Sequence, residues 1–350
     1  MEYFYSLAKI FVLGTLSFAI AMFWTPFLTK FLVKYRLGKN IRKGDTPIYT
    51  KLHKKKKGTP TMGGLLIWIT TAVLAILFWA FNQFMPSNKI FSFLNFLSRP
   101  QTLLPLGALV ATGIIGALDD LYDIFKKEGI RFRYRLLISL FIACFGAWWF
   151  YYKLGWDQIH IPAIGDFSIG ILYIPLFIFV IVSTAFAVNE TDGLDGLAGG
   201  TLLSSFACFG VIAFARQRFE LAAFCAVICG ALLAFLWFNV YPAKFFMGDT
   251  GAMSLGITLG VLAMLTNSVL VLPIVGAVFV IEAFSVIIQL TSKKFFKKKV
   301  FLSSPFHHHL EAKGWPESKI TMRFWIISAV CATIGLIVGI IGGGNPLNAH

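Results

Sequence analysis

Ten runs of mostly apolar residues constrain this chain more than any other feature. They lie near 8–29, 62–82, 103–118, 136–152, 170–188, 197–215, 220–238, 250–267, 269–291 and 324–343. A helix rises about 1.5 Å per residue, so about 20 apolar residues cross a bilayer core roughly 30 Å thick. A soluble domain must face water, and 13% charged residues against 57% hydrophobic ones cannot cover ten such helices. The pattern predicts an all-α polytopic membrane protein, a single integral membrane domain over 1–350 with about ten transmembrane helices. It excludes a cytosolic enzyme, a disordered chain and a fibre. The first run lacks the basic head and small-residue cleavage site of a signal peptide. Cys144, Cys208, Cys225, Cys229 and Cys331 all lie inside apolar runs, in no disulfide or zinc spacing, and read as buried small hydrophobes.

The net charge of +15 is unevenly placed. Eleven Lys and Arg fall in 30–57, five in 119–135, eight in 293–323, and Lys244 joins them. That puts 25 of 31 basic residues on one face, which by the positive-inside rule is cytoplasmic. Both termini are then expected on the periplasmic side. Basic loops beside a membrane contact anionic lipid headgroups or phosphorylated substrates. No recognition fold for nucleic acid accompanies them, so no nucleic-acid partner is expected.

The few acids gather at the same face. GALDDLYD (116–123) ends the third run, and on a continuing helix Asp119 and Asp123 share a side while Asp120 points away. Adjacent carboxylates repel unless a cation lies between them, and oxygen-rich sites with open positions suit Mg²⁺. NETDGLDGLAGG (189–200) spaces Asn189, Asp192 and Asp195 by three among glycines, the pattern of a lined polar cavity or of a Gly-rich turn. NVYPAKFFMGDTGAMSLG (239–256) sets Asp249 at the start of a helix, placed to hold a metal near that anion-attracting end. Phe245 or Phe246 beside it could stack on a base. SSPFHHHLE (303–311) presents His307, His308 and His309, read as phosphate or substrate contacts rather than Mg²⁺ ligands. KKKKGTPTMGG (54–64) is weak alone, lacking the spacing of a nucleotide P-loop. Together these segments suggest a catalytic cavity at the inner leaflet, built by cytoplasmic loops near 30–60, 119–135, 189–197, 239–250 and 292–323.

KKGTPTMGG, DDLYD, NETDGLDGLAGG, FMGDTGAMSLG and PFHHHLE, in that order, resemble the phospho-N-acetylmuramoyl-pentapeptide transferases over about 30–345. The resemblance implies transfer of phospho-MurNAc-pentapeptide from UDP-MurNAc-pentapeptide to undecaprenyl phosphate, giving lipid I and UMP in peptidoglycan synthesis. It implies a Mg²⁺-dependent enzyme of the bacterial inner membrane, facing the cytoplasm, and a homodimer. Residue by residue, Asp119, Asp120, Asp249, His307 and His308 match catalytic positions, with Asp249, Asp119 and Asp120 as the metal carboxylates. Lys56 (or, one residue on, Lys57), Arg135, Asn189, Asp192, Gly193, Asp195, Asn239, Phe246 and His309 match substrate-binding positions, Phe246 as the uracil stacker. Asp123 departs from the Lys usual in this branch, and Glu190 from an apolar residue. The resemblance leaves two alternatives: transfer of N-acetylglucosamine-1-phosphate to a polyprenyl carrier, and a secondary transporter. A transporter would place acids near the midplane and show an inverted repeat, whereas here the acids sit at one face.

Overall fold

A computed structural model of the chain describes residues 2–38, 56, 58–98, 101–126 and 132–341. Thirteen α-helices appear among them: α1 Glu2–Lys34, α2 Leu65–Phe84, α3 Lys89–Leu94, α4 Leu103–Lys126, α5 Phe132–Trp148, α6 Tyr173–Thr191, α7 Leu197–Ala215, α8 Phe219–Asn239, α9 Asp249–Leu265, α10 Leu272–Val275, α11 Ala277–Phe295, α12 Phe306–Ala312 and α13 Glu317–Ile341. Eight of the described helices are long and apolar enough to cross a membrane.

The outer helices are apolar outward and small or polar inward. On α13, Met322, Ile326, Val330, Ile334 and Ile337 are exposed, while Thr321, Ser328, Ala332, Gly335 and Gly339 are buried. Water would penalise that exposed face, and lipid does not; small inward residues let helix backbones approach closely. The chain is therefore a multi-pass α-helical membrane protein.

At the centre stands α9. Every residue from Thr250 to Leu265 is buried, as expected of a helix that is apolar all round. It packs against α4, α6, α7 and α2. Its 17 residues rise about 25 Å. One end carries Asp249, the residue on which the site is built. The other is closed by cations, with the Arg218 Nη1 donating to the Leu265 carbonyl at 2.7 Å and Arg216 donating to that of Thr266. Carbonyls left over at a helix C-terminus attract such donors.

Several sequence expectations are corrected here. The run 269–291 is not one helix, since Pro273 and Gly276 divide it into α10 and α11. Residues 119–126, 132–135 and 189–191 are helical rather than loop: they extend α4, α5 and α6, whose backbone satisfies its own hydrogen bonds, and of their polar side chains Asp119, Asp120 and Thr191 are buried. A two-stranded antiparallel hairpin, β1 Gln158–Ile161 and β2 Gly165–Ser168, interrupts the all-α pattern. His160 and Asp166 face each other across it, with Nδ1 and Oδ1 2.7 Å apart. Cys144 is exposed, Cys208 and Cys225 are buried, and Cys229 and Cys331 are intermediate. On a membrane-facing helix an exposed thiol meets lipid and needs no burial.

Candidate active site

The site is built on the first turn of α9. A helix start leaves backbone N–H groups without partners and carries partial positive charge. Gly248, at φ +74°, turns the chain into the helix through a conformation that favours glycine. The Gly248 amide donates to Asp192 Oδ2 (3.2 Å), that of Asp249 to Asp120 Oδ1 (3.1 Å) and that of Thr250 to Asp120 Oδ2 (3.0 Å). The anion at this helix end is therefore the protein's own carboxylate. Asp120 bridges α4 and α9 and positions Asp249. An Asp120→Asn change keeps only one acceptor oxygen, and about 1 kcal/mol of stability is expected to go with the lost cap. Thermal unfolding of the purified protein measures it.

The side chain of Asp249 faces two donors. Asn189 Nδ2, near the end of α6, donates to Oδ1 at 2.6 Å. The Arg135 guanidinium, from α5, pairs with Oδ2 at 2.6 Å and reaches Oδ1 at 3.4 Å. Its Nε lies 2.6 Å from Oδ2 of Asp119, itself almost fully buried. One guanidinium thus holds two carboxylates from α4 and α9. Glu190, half-buried beside Asn189, lies within electrostatic reach of Arg135, Asp249, Glu282 and His307. Asp123, one turn beyond Asp119, is half-buried.

The three-carboxylate cage of Asp119, Asp120 and Asp249 is not assembled. Among the described residues no three His, Cys, Asp or Glu are grouped to hold an ion, and both Asp120 oxygens accept amides of α9. The donors still fit Mg²⁺, which takes one or two carboxylates and fills its remaining positions with water and phosphate oxygens. Asp249 and Asp119, already sharing one cation, are the residues that could supply them.

A second network lies beside the first. Lys56 Nζ pairs with Asp195 Oδ1 at 2.6 Å and with the Glu317 carboxylate. The Asp195 amide donates to Glu317 Oε1 at 2.7 Å, and Asp195 Oδ2 accepts from the Ala243 amide at 3.0 Å. Asn239 accepts from the Gly196 amide at 3.0 Å and donates to the Phe245 carbonyl at 2.8 Å. Its amide is thereby a bracket between two loops, not the open substrate contact expected of it. Phe245 is buried against Phe235 and Phe238. Phe246 is half-buried, with Lys56 Nζ 5.7 Å from its ring centroid. Lys57 lies outside the described residues.

The weak GTPTMGG motif supports this loop. The Phe246 amide donates to the Pro60 carbonyl (2.8 Å), while those of Gly63 and Gly64 donate to Phe246 (2.7 Å) and Met247 (2.8 Å). Gly64 lies directly on Gly251 of α9, where a Cβ would fall 2.2 Å from the Gly251 Cα.

The histidines divide. His307 is fully buried, its Nδ1 3.0 Å from Oε2 of Glu282 and its backbone amide 3.2 Å from Oε1. Its Nε2 has no hydrogen-bond partner among the described residues and abuts Gly193. His308 Nδ1 lies 2.6 Å from Oε2 of Glu311. His309 instead pins its own loop: Nδ1 accepts from the Leu302 amide at 3.1 Å, and its ring stacks on Phe306. Burial first, and the Lys313 charge second, lower its pKa from the ordinary imidazole value.

Glu282 and Glu317 escaped sequence reasoning. Glu282 was legible as the lone acid of an apolar run, which is costly unless paired. Gln289, on the same buried side of α11, accepts from the Val300 and Phe301 amides at 3.0 and 2.9 Å and anchors the loop before the histidines. Nothing in the local sequence marked Glu317.

A family model described as glycosyl transferase family 4 matches residues 102–267. A phospho-N-acetylmuramoyl-pentapeptide-transferase signature matches 56–67, the segment that lies on Phe246 and Met247. Curated relatives named phospho-N-acetylmuramoyl-pentapeptide-transferase are similar over nearly the whole chain. That of Chloroflexus aggregans is 37% identical, covering 96% of this chain and 91% of its own. That of Clostridium novyi is 37% identical over 92% and 94%, and that of Shouchella clausii 39% over 93% and 96%. With the signature seated on the site loop and the likeness running end to end, this chain belongs to the phospho-N-acetylmuramoyl-pentapeptide-transferase family.

Proposed function

We propose that the protein transfers phospho-MurNAc-pentapeptide from UDP-MurNAc-pentapeptide to undecaprenyl phosphate, releasing UMP and forming lipid I. The reaction takes place at the cytoplasmic face of the bacterial inner membrane. One observation carries this reading: Asp119, Asp120, Asp192 and Asp249, from three separate segments, meet at the α9 start with the Arg135 cation among them. The sidedness finds support in Asp157 and Asp166, which belong to the hairpin region at the opposite end of α9, where the His160 amide donates to Asn267 Oδ1.

Both reactants are anionic phosphates, so charge neutralisation and positioning do most of the work. Bound Mg²⁺ would supply charge neutralisation for the diphosphate and the departing UMP, held through Asp249 and Asp119. Arg135 supplies the chain's own positive charge between these carboxylates. Lys56 and Phe246 offer a cation and a ring face to the nucleotide, and His307 Nε2 offers a buried nitrogen beside Gly193. A phosphate monoester has a second pKa of about 6 and is mostly dianionic at neutral pH, so it hardly needs a strong base. Asp119 then orients the acceptor. A carboxylate that holds a divalent cation is a poor nucleophile, which supports direct attack over a covalent aspartyl intermediate at Asp249.

The test is UMP release by purified enzyme. Turnover is expected with UDP-MurNAc-pentapeptide and the lipid phosphate, and is lost when EDTA removes Mg²⁺ and restored by adding it back. Equal turnover of UDP-GlcNAc would overturn the assigned substrate. Full activity in EDTA would overturn the metal.

A further inference from the structure

Near the C-terminal end of α1, a cavity of about 520 Å³ opens between that helix and the last turn of α8 with the residues that follow it. Lys30, Lys34 and Lys244 line it together with Pro26, Val33 and Phe238, and no acid lines it among the described residues. The position is set on one side by a helical stripe, since residues 26, 30 and 33 or 34 recur on one face of α1. On the other side Lys244 donates its amide to the Phe238 carbonyl at 2.8 Å and holds Nζ 5.2 Å from the Phe238 ring. Three ammonium groups around one space repel each other, and an anion between them relieves that repulsion. None of these lysines enters the catalytic networks described above.

We propose that this cavity seats the phosphate of an anionic membrane phospholipid. Charge complementarity requires an anion. The apolar half of the lining (Pro26, Val33 and Phe238) and the membrane-spanning helix that carries it call for an anion with acyl chains. Phe23, Phe27 and Phe31 of α1 are exposed and offer those chains an apolar surface. Basic side chains beside a membrane each strengthen binding to anionic lipid about fivefold. The site does not depend on the transfer reaction, and its test does not use it.

The full-length protein in detergent is titrated with phosphatidylglycerol and, separately, phosphatidylcholine, and bound lipid is counted by native mass spectrometry. One phosphatidylglycerol should be retained at least about tenfold more tightly than phosphatidylcholine. Combining Lys30→Gln, Lys34→Gln and Lys244→Gln should weaken it on the order of a hundredfold, whereas the three Lys→Arg changes should retain it. Equal affinity in the Gln variant, or no preference in the unmodified protein, would overturn the proposal. So would displacement by undecaprenyl phosphate or inorganic phosphate at lower concentration than phosphatidylglycerol itself. Should the triple variant not fold, a photoactivatable phosphatidylglycerol decides on the unmodified chain. Labels within 26–34 or 238–244 support the site, and labels found only elsewhere refute it.

Discussion

Asp249→Ala is expected to leave a folded protein whose UMP release falls on the order of 10³-fold or more. The carboxylate is the acceptor for both Asn189 and Arg135, and it is the oxygen donor best placed for a divalent cation. Its removal strips charge stabilisation from the step that most needs it, typically worth several kcal/mol. The fold should persist because the α9 start keeps its cap: Asp120 still accepts from the backbone amides at 249 and 250. Matched thermal unfolding with lost turnover is the expected pair of results. Near-normal turnover in the variant would remove Asp249 from the reaction.

The second large effect comes from a residue with no side chain. Gly64→Ala places a methyl group 2.2 Å from the Gly251 Cα and 2.3 Å from its nitrogen. These are backbone atoms of a buried helix and cannot swing aside as a side chain would. The segment 60–64 must lift, and its amide bonds to Phe246 and Met247 are lost with it. Overpacking of this kind costs about 1–3 kcal/mol, and more where backbone must move. UMP release should fall about 100-fold, since a 1 Å displacement of catalytic groups is enough for that. Gly107→Ala is the control: nothing lies within 4 Å of its Cβ position on α4, and alanine is the better helix former by about 1 kcal/mol. A melting temperature for Gly64→Ala equal to that of Gly107→Ala would mean that the contact with α9 is not as described.

The carboxylates show where local sequence stops being informative. Asp119 and Asp120 are neighbours of the same type, yet one pairs with a guanidinium and the other caps a helix 129 residues away. The 100° offset between adjacent helical positions was readable in advance, but the partner each would meet was not. Asn239 and His309 were likewise legible as polar residues in a polar loop. Only their surroundings make one a bracket and the other a pin. Glu282 was visible as an isolated acid in an apolar run, and its pairing with His307 required the fold of α11 against α12.

What the chain determined by itself is its solvent and the segregation of its charges along the sequence. Hydropathy acts residue by residue along a helix, so membrane spans and the segregation of acids and bases need no knowledge of packing. The tertiary structure alone decided which carboxylate holds an amide, which holds a cation, and which histidine is buried against an acid. Those roles depend on distances of about 3 Å between segments remote in the chain, and such distances exist only once the helices have packed.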